Sequence, residues 1–274
     1  MNYKASVIIS IYNNIPFLKA VLDTLKLQTE KDFEIIISED ACHESVKDFV
    51  QNYPFENDYQ HLTQPDIGWR KNQALNNAIR SAKADWLIFV DGDCVLHPRF
   101  VEMHLRYAGE KNIVAGKRVK LDEAISQFIL QDSSHIRQLQ SMLLKKMLTG
   151  KGRMKYVEEG IFISPDGCLG FIPRMRKIRH LIGSNMAFSK KTIAAINGFD
   201  EDYILPAFGE DTDLLWRFQA LGYQLVSVRN MAVQYHLNHR ENWTEQETNL
   251  QIYYQKQANK EYICYNGLVK KDKP

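Results

Sequence analysis

Aspartates stand at positions 91 and 93 with one glycine between them, directly after the apolar run Trp86-Leu87-Ile88-Phe89-Val90. Alternate carboxylates just past a buried strand can face one hard cation, and glycine lets the backbone approach a phosphate closely. A diphosphate chelating Mg²⁺ or Mn²⁺ needs such oxygen ligands. The plainer alternative is an Asp-Gly turn, which by itself explains the three residues equally well. Context favours chemistry: the strand before the motif is continuous and apolar, and two further polar strand tips, Ser10-Ile11-Tyr12 and Glu39-Asp40, are predicted beside it. A second pair of acids, Glu210-Asp211, follows Gly209 where a helix is expected to begin. The positive end of a helix keeps an ionised carboxylate stable; capping by acids is the competing explanation.

The elements that must position these groups alternate. Residues 5–9, 33–37 and 86–90 are short, apolar and β-branched, as buried strands are, and helical spacing appears over 15–27, 44–53, 69–83 and 98–108. Pro16 suits a first helical turn. Fully apolar strands between helices predict a parallel sheet covered on both faces, with ligands beyond the carboxyl ends of its strands. A strand is expected near 112–116, then a long helix or two short ones over 121–148 and an irregular stretch over 150–182. A strand-like 183–188, a helix from Lys190 to the Asn197-Gly198 stop, and a helix over 210–221 follow. Residues 224–236 are expected to be extended, and 242–263 to form a polar, aromatic helix. The predicted class is α/β with a mostly parallel, Rossmann-like central sheet flanked by helices. Residues 1–241 are expected to form one domain, with a nucleotide-binding half (1–116) and an acceptor or catalytic half (117–241), followed by a helical extension over 242–274.

Composition sets the outer bounds. With 45% hydrophobic and 25% charged residues the chain has ordinary globular composition, and a net charge of +2 gives no sign of a nucleic-acid partner. Cys42, Cys94, Cys168 and Cys264 form no CxxC pair, which argues against a zinc ribbon or redox motif. No apolar run approaches the ~20 residues that span a bilayer, and Met1-Asn2-Tyr3-Lys4 does not resemble a signal peptide. A cytoplasmic location is expected, and the Asn242-Trp243-Thr244 sequon is taken as chance.

Taken together, Val7 to Asn13, Glu39-Asp40, Gly68-Trp69-Arg70-Lys71-Asn72, Phe89 to Asp93, Gly183 to Phe188, Asn197 to Asp200 and Phe208 to Asp213 resemble the inverting family 2 glycosyltransferases of GT-A fold. The resemblance covers Val7 to His236. The second half is also similar to galactosyltransferase and chondroitin-synthase catalytic modules, where Gly-Phe-Asp precedes a Gly-Glu-Asp helix start and a later histidine.

The resemblance implies roles. Ser10 and Tyr12 hold the nucleotide, Tyr12 by stacking on the base, and Asp40 accepts from uracil. This chain departs from the family in having Glu39-Asp40-Ala41-Cys42 where Asp-Asp-Gly-Ser is usual, which leaves Glu39 as a substitute. Lys71, beside Arg70, lies where the diphosphate is bound, with a solvated helix face as the alternative. Asp91, Asp93 and His236 hold Mn²⁺ or Mg²⁺, with Gly92 against the phosphate and His239 a competing ligand. Asp211 is the general base of an inverting displacement, Glu210 orients the acceptor or the sugar, and Asn185 and Asp200 are sugar or acceptor contacts, with structural turn roles as the alternative. The implied donor is a nucleotide-diphosphate sugar, UDP-linked in this family, and the implied acceptor a glycan or glycolipid of a surface polysaccharide. A nucleotidyltransferase is disfavoured because no Gly-rich phosphate loop follows the first strand. A non-catalytic binding module is disfavoured because Asp211 is present. The basic run Arg174-Met175-Arg176-Lys177-Ile178-Arg179-His180, preceded by Lys145, Lys146, Lys151, Arg153 and Lys155, is either a solvated loop or a peripheral contact with the inner face of a membrane.

Overall fold

The computed structural model describes residues 3–149, 156–206, 208–240 and 245–272. Strand β1 (Ala5–Ile11), helix α1 (Ile15–Lys26), β2 (Phe33–Glu39), α2 (Glu44–Asn52), β3 (Tyr59–Leu62), α3 (Lys71–Ser81) and β4 (Trp86–Asp91) form the first half. Within it β3, β2, β1 and β4 lie side by side and parallel. Val7, Ile9, Ile35 and Ile37 point into one core, and Ile8 and Ile36 into the other. Burial on both faces is why consecutive residues such as Val7-Ile8-Ile9 and Ile35-Ile36-Ile37 are apolar, rather than every second one. Helix α1 starts where the Asn14 side chain accepts from the Phe17 backbone N–H, with Pro16 in the first turn. It buries Leu18, Val21, Leu22 and Leu25 at i, i+3, i+4 and i+7.

The chain continues through β5 (Cys94–Leu96), α4 (Phe100–Arg106), β6 (Asn112–Ala115), β7 (Arg118–Lys120), α5 (Glu123–Gln131), α6 (Ile136–Thr149), α7 (Phe171–Met175), β8 (Met186–Ser189), α8 (Lys190–Ala195), α9 (Asp211–Ala220), β9 (Gln224–Ser227), β10 (Gln234–His236) and α10 (Glu247–Ala258). The large sheet has the order β3-β2-β1-β4-β8-β6-β9, with β8 antiparallel to both neighbours. The sheet is thus mostly parallel, as the sequence predicts.

The 121–148 stretch takes the second of its two expected forms, two helices separated by a short 3₁₀ turn over Ser133–His135. Other elements differ from expectation. The extended 224–236 stretch splits: β9 belongs to the large sheet, and β10 to a second sheet of order β5-β10-β7. Three of the short strands, β3, β5 and β7, have only three or four residues each, too few to show a periodicity of their own. Lys151, Arg153, Lys155 and the Asn242-Trp243-Thr244 sequon lie outside the described residues.

The second sheet matters for position. Tyr235 is wholly buried between Val95 and Val119, and this register sets His236 opposite Cys94. The far end of the chain closes over the loop before α9. Asn249 of α10 donates to the Leu205 carbonyl at 2.9 Å, and Lys256 pairs with Asp202 at 2.7 Å and with buried Asp200.

Candidate active site

The carboxyl ends of β1, β2 and β4 open into a cleft of about 680 Å³. The strand order turns around at β1, with β2 on one side and β4 on the other, which is where open α/β sheets leave a crevice. Ser10, Tyr12, Asp40, Lys71, Asp91, Gly92 and Asp93 all line it. Gly92 N–H donates to the Ser10 carbonyl at 2.8 Å, so the two strand ends are stitched together. The Tyr12 ring stands half exposed at the cleft edge, its hydroxyl on Asp66 at 2.8 Å and its edge against His43. Asp40 is buried, taking Gln64 Nε2 at 2.6 Å and the Arg70 backbone N–H at 2.8 Å on its two oxygens. Burial outweighs these bonds and raises its pKa.

The structure does not bring three expected contacts to the cleft. Glu39 is 1% exposed and bound to His61 Nε2 at 2.7 Å and His43 Nδ1 at 2.9 Å. It is absorbed by a subsurface network and offers no substitute for Asp40. Asn185 is wholly buried, accepting from His104 Nε2 at 2.9 Å and donating to the carbonyls of Lys117 and Ala232. It latches β8 to the segments before β7 and β10. Asp200 is likewise buried on Lys256.

Two polar constellations include groups that line the cleft, Lys71 and Asp91 in one and Asp93 and His239 in the other, whereas Glu210, Asp211 and His236 are not among its lining residues. In the first, Lys71 Nζ lies 2.8 Å from Asp91 Oδ1 and 2.9 Å from Glu210 Oε2, while Arg118 Nη1 lies 3.5 Å from Asp91 Oδ2. Burial works against the Lys71 charge, but the two acids outweigh it and raise its pKa. Glu210 is pushed up to about 7, by burial first and then by Asp91 and Asp211, against the pull of Lys71. Its Oε1 is buried and meets no donor among the described residues. Gly183 packs so tightly there that a Cβ on it would lie 2.1 Å from that oxygen. Asp211, next along, accepts from the Gly183 backbone N–H at 3.2 Å, and burial raises its pKa. Gly209 makes this corner possible with φ +104°, and a Cβ on it would strike the Tyr203 ring.

In the second constellation Asp93 Oδ2 lies 3.3 Å from His236 Nε2 and 3.0 Å from His239 Nε2. Ligand atoms of these three residues fall within 4.8 Å of one another. One carboxylate and two imidazoles form a mixed oxygen and nitrogen set that suits Mn²⁺ and many other divalent ions. Burial would raise the Asp93 pKa, but hydrogen bonds from both histidines hold it well below the usual carboxylate range. The sequence offered His236 and His239 as rivals, whereas the structure gathers both. Asp91 instead spends its oxygens on Lys71 and Arg118, although Asp91, Asp93 and Cys94 also cluster. Arg118, Asp66 and the Gly183 N–H were not singled out by the sequence, and nothing in their spacing marks them.

A mostly parallel sheet with acids from both halves of the chain converging near its carboxyl edge is the arrangement of the GT-A class. The chain belongs to glycosyl transferase family 2, whose model matches residues 6–191; that of the N-terminal domain of galactosyltransferase matches residues 173–240. It is 26% identical over 240 residues to chondroitin synthase of Escherichia coli, covering 84% of this chain and 34% of that one. It is also 26% identical over 234 residues to the amylovoran biosynthesis glycosyltransferase AmsB of Erwinia amylovora, covering 85% and 69%. The chain thus spans about a third of the chondroitin synthase it matches. Among solved structures, the fold is similar to a Pyrobaculum calidifontis mannosyltransferase in complex with GDP-Man and Mn²⁺ (TM-score 0.55, 15% identity, 89% of this chain and 59% of that one). It is also similar to GalNAc-T7 with UDP, GalNAc and Mn²⁺ (TM-score 0.58, 13% identity, 89% and 45%).

Proposed function

We propose that this glycosyltransferase moves one sugar from a nucleotide-diphosphate donor, a UDP-sugar, to a hydroxyl of a glycan or lipid-linked glycan, inverting the anomeric carbon, in the synthesis of a surface polysaccharide. The observation that carries the reading is the Asp91–Lys71–Glu210 chain. It ties the motif at the end of β4 to the start of α9, and Asp211 directly follows Glu210 there, which supports a role for it beside the sugar of a donor bound along β1 and β4. Tyr12 stacks on the base, and Ser10, Asp40 and Lys71 fix the nucleotide. We assign these roles to the 1–241 portion and a supporting role to the 242–274 extension.

Asp211 accepts the proton of the acceptor hydroxyl as its oxygen bonds to the anomeric carbon and the bond to the diphosphate breaks, its electron pair leaving with the diphosphate. A half-buried base with a raised pKa is stronger than a surface carboxylate, and the Gly183 N–H holds one of its oxygens in place. Glu210, held through Oε2 by Lys71 at 2.9 Å, orients the acceptor or the sugar. A divalent cation, Mn²⁺ or Mg²⁺, held by Asp93, His236 and His239 with Asp91 beside them, supplies positive charge to the departing diphosphate when bound. Polysaccharide synthesis is supported by the relatives' names, and UDP by the family resemblance and the UDP described with GalNAc-T7.

A panel of UDP-, GDP- and dTDP-sugars, scored by thermal shift and by metal-dependent hydrolysis, tests the reading. The true donor at a hundredfold excess over its Kd adds about 2.7 kcal/mol of stability. A panel in which no sugar nucleotide stabilises the protein, with or without Mn²⁺, sinks it.

A further inference from the structure

The stretch from α6 to His180 combines two features that the cleft does not use. Helix α6 buries Ile136, Leu139 and Leu143 on its inner face, yet its last turns also carry Leu144, Met147 and Leu148 outward, Leu148 at 88% exposure. Further on, Leu169, Phe171 (56%) and Met175 (74%) stand exposed around α7. The two groups flank one segment: Gln140 of α6 accepts from the Phe162 backbone N–H at 3.1 Å, and Arg176 pairs with Glu159 at 3.0 Å. Large apolar side chains left in water on both elements that border this segment point to an interaction site.

Charge identifies the partner. The described residues 136–149 and 156–180 hold seven Lys and Arg against three acids, although the whole chain is only +2. Glu159 is buried under Arg176 and Arg229, and Asp166 is engaged by Arg106, so two of the three acids are already met by cations. Exposed cations are interleaved with the apolar tips: Arg174 beside Met175, then Lys177 and Arg179. Apolar side chains set among Lys and Arg are what a segment lying in a lipid interface presents, whereas a protein-binding patch is depleted of lysine at its centre. No helix of the described residues is long and apolar enough to cross a membrane, so any lipid contact of these elements lies in the interface.

We propose that the α6–α7 surface docks the protein on a bilayer containing anionic lipid, with Leu148, Phe171 and Met175 entering the interface and Lys177 and Arg179 meeting the headgroups. The inference is independent of which donor or acceptor the cleft takes. Co-sedimentation with vesicles of phosphatidylcholine alone, and of phosphatidylcholine mixed with phosphatidylglycerol, tests it on the full chain. Wild type is expected to pellet with the anionic vesicles only and to be released by high salt. Lys177→Gln/Arg179→Gln should weaken partitioning about fivefold per cation removed. Leu148→Ser/Met175→Ser should weaken it on the same vesicles while the remaining binding keeps its salt dependence. Because all four side chains are exposed, nucleotide binding and thermal midpoint should be unchanged, which checks that the variants are folded. Failure of wild type to pellet, or equal pelleting of all three proteins, overturns the proposal. So does a concentration-dependent dimer that Leu148→Ser/Met175→Ser makes monomeric without any vesicle binding, which would assign the face to a second copy.

Discussion

At the scale of single residues, Asp211 is where the proposal is most exposed to test. Asp211→Asn keeps the shape and the Gly183 contact but removes the proton acceptor. Turnover should fall by about 10²–10⁴-fold with donor affinity little changed. Because burial raises the Asp211 pKa, activity in the wild type should fall with acid on a limb displaced upward from that of an ordinary aspartate, as the base becomes protonated. A variant with wild-type turnover, or a product of retained anomeric configuration by NMR, removes Asp211 from the role. The Asp93 cluster gives a second test. His236→Ala and His239→Ala should each weaken Mn²⁺ binding measured by calorimetry, more than they weaken nucleotide binding without metal. Loss of affinity in one variant alone would return the site to a single histidine. What the sequence conveyed at this scale was residue type at a strand or helix end: Ser10, Tyr12, Asp40, Lys71, Asp91 and Asp93 do line one cleft. What it could not convey was which neighbours claim each group. Glu39 and Asp40 are adjacent and both acidic, yet alternation along an extended chain sends one to His43 and His61 and the other to the cleft.

At the scale of elements, α9 must be held rigidly if its first residue is to act. Arg217 and Asp213 form an ion pair at 2.5 Å with side chains at most 1% exposed, and Arg217 also donates to the carbonyls of Ile196 and Gly198. Removing one partner leaves a buried charge unmet, so Arg217→Met should cost about 3–5 kcal/mol by urea unfolding. The Asp213→Asn/Arg217→Met double variant should cost less than the two single changes combined; strict additivity would show that the pair is not coupled. Helix α4 supplies a pH test. His104 donates from Nε2 to Asn185, its Nδ1 has no partner among the described residues, and burial lowers its pKa to about 4. The folded pKa lies below the unfolded value near 6.5, so the contribution of neutral His104 is intact above pH 6.5 and lost as pH falls toward 4. The loss is on the order of 3 kcal/mol at pH 4. His104→Gln should flatten that part of the stability profile, and an unchanged slope would relieve His104 of the effect. Long apolar strands and amphipathic helices were legible because periodicity reports burial; β5 and β7 were not, since three residues carry no period.

At the scale of the whole molecule, the two functions proposed for the cleft draw on different parts of the chain. The proposed nucleotide edge comes from the ends of β1, β2 and β4, all within the first 93 residues. The proposed base comes from the corner at the start of α9, and that corner is clasped by the end of the chain. Asn249 donates to the carbonyls of Leu205 and Phe208, Lys256 pairs with Asp200 and Asp202, and Asn197 donates to the carbonyls of Cys264 and Val269 at 2.8 Å. The sequence pointed to a C-terminal helical extension, but not to what it grips, because such contacts join residues about 40 to 70 positions apart. A chain ending after residue 245 should therefore still bind a nucleotide diphosphate with Mn²⁺, while sugar transfer collapses because Glu210 and Asp211 are no longer fixed. Asn249→Ala, which removes only the two carbonyl contacts, should move in the same direction by a smaller amount, lowering kcat with donor affinity unchanged. Calorimetry of nucleotide binding beside a transfer assay separates the outcomes. If the shortened chain transfers sugar at the full rate, the extension is a passenger and the corner before α9 holds itself. If both proteins lose nucleotide affinity as well, the two parts fold as one cooperative unit and the division of labour argued from their contacts is wrong.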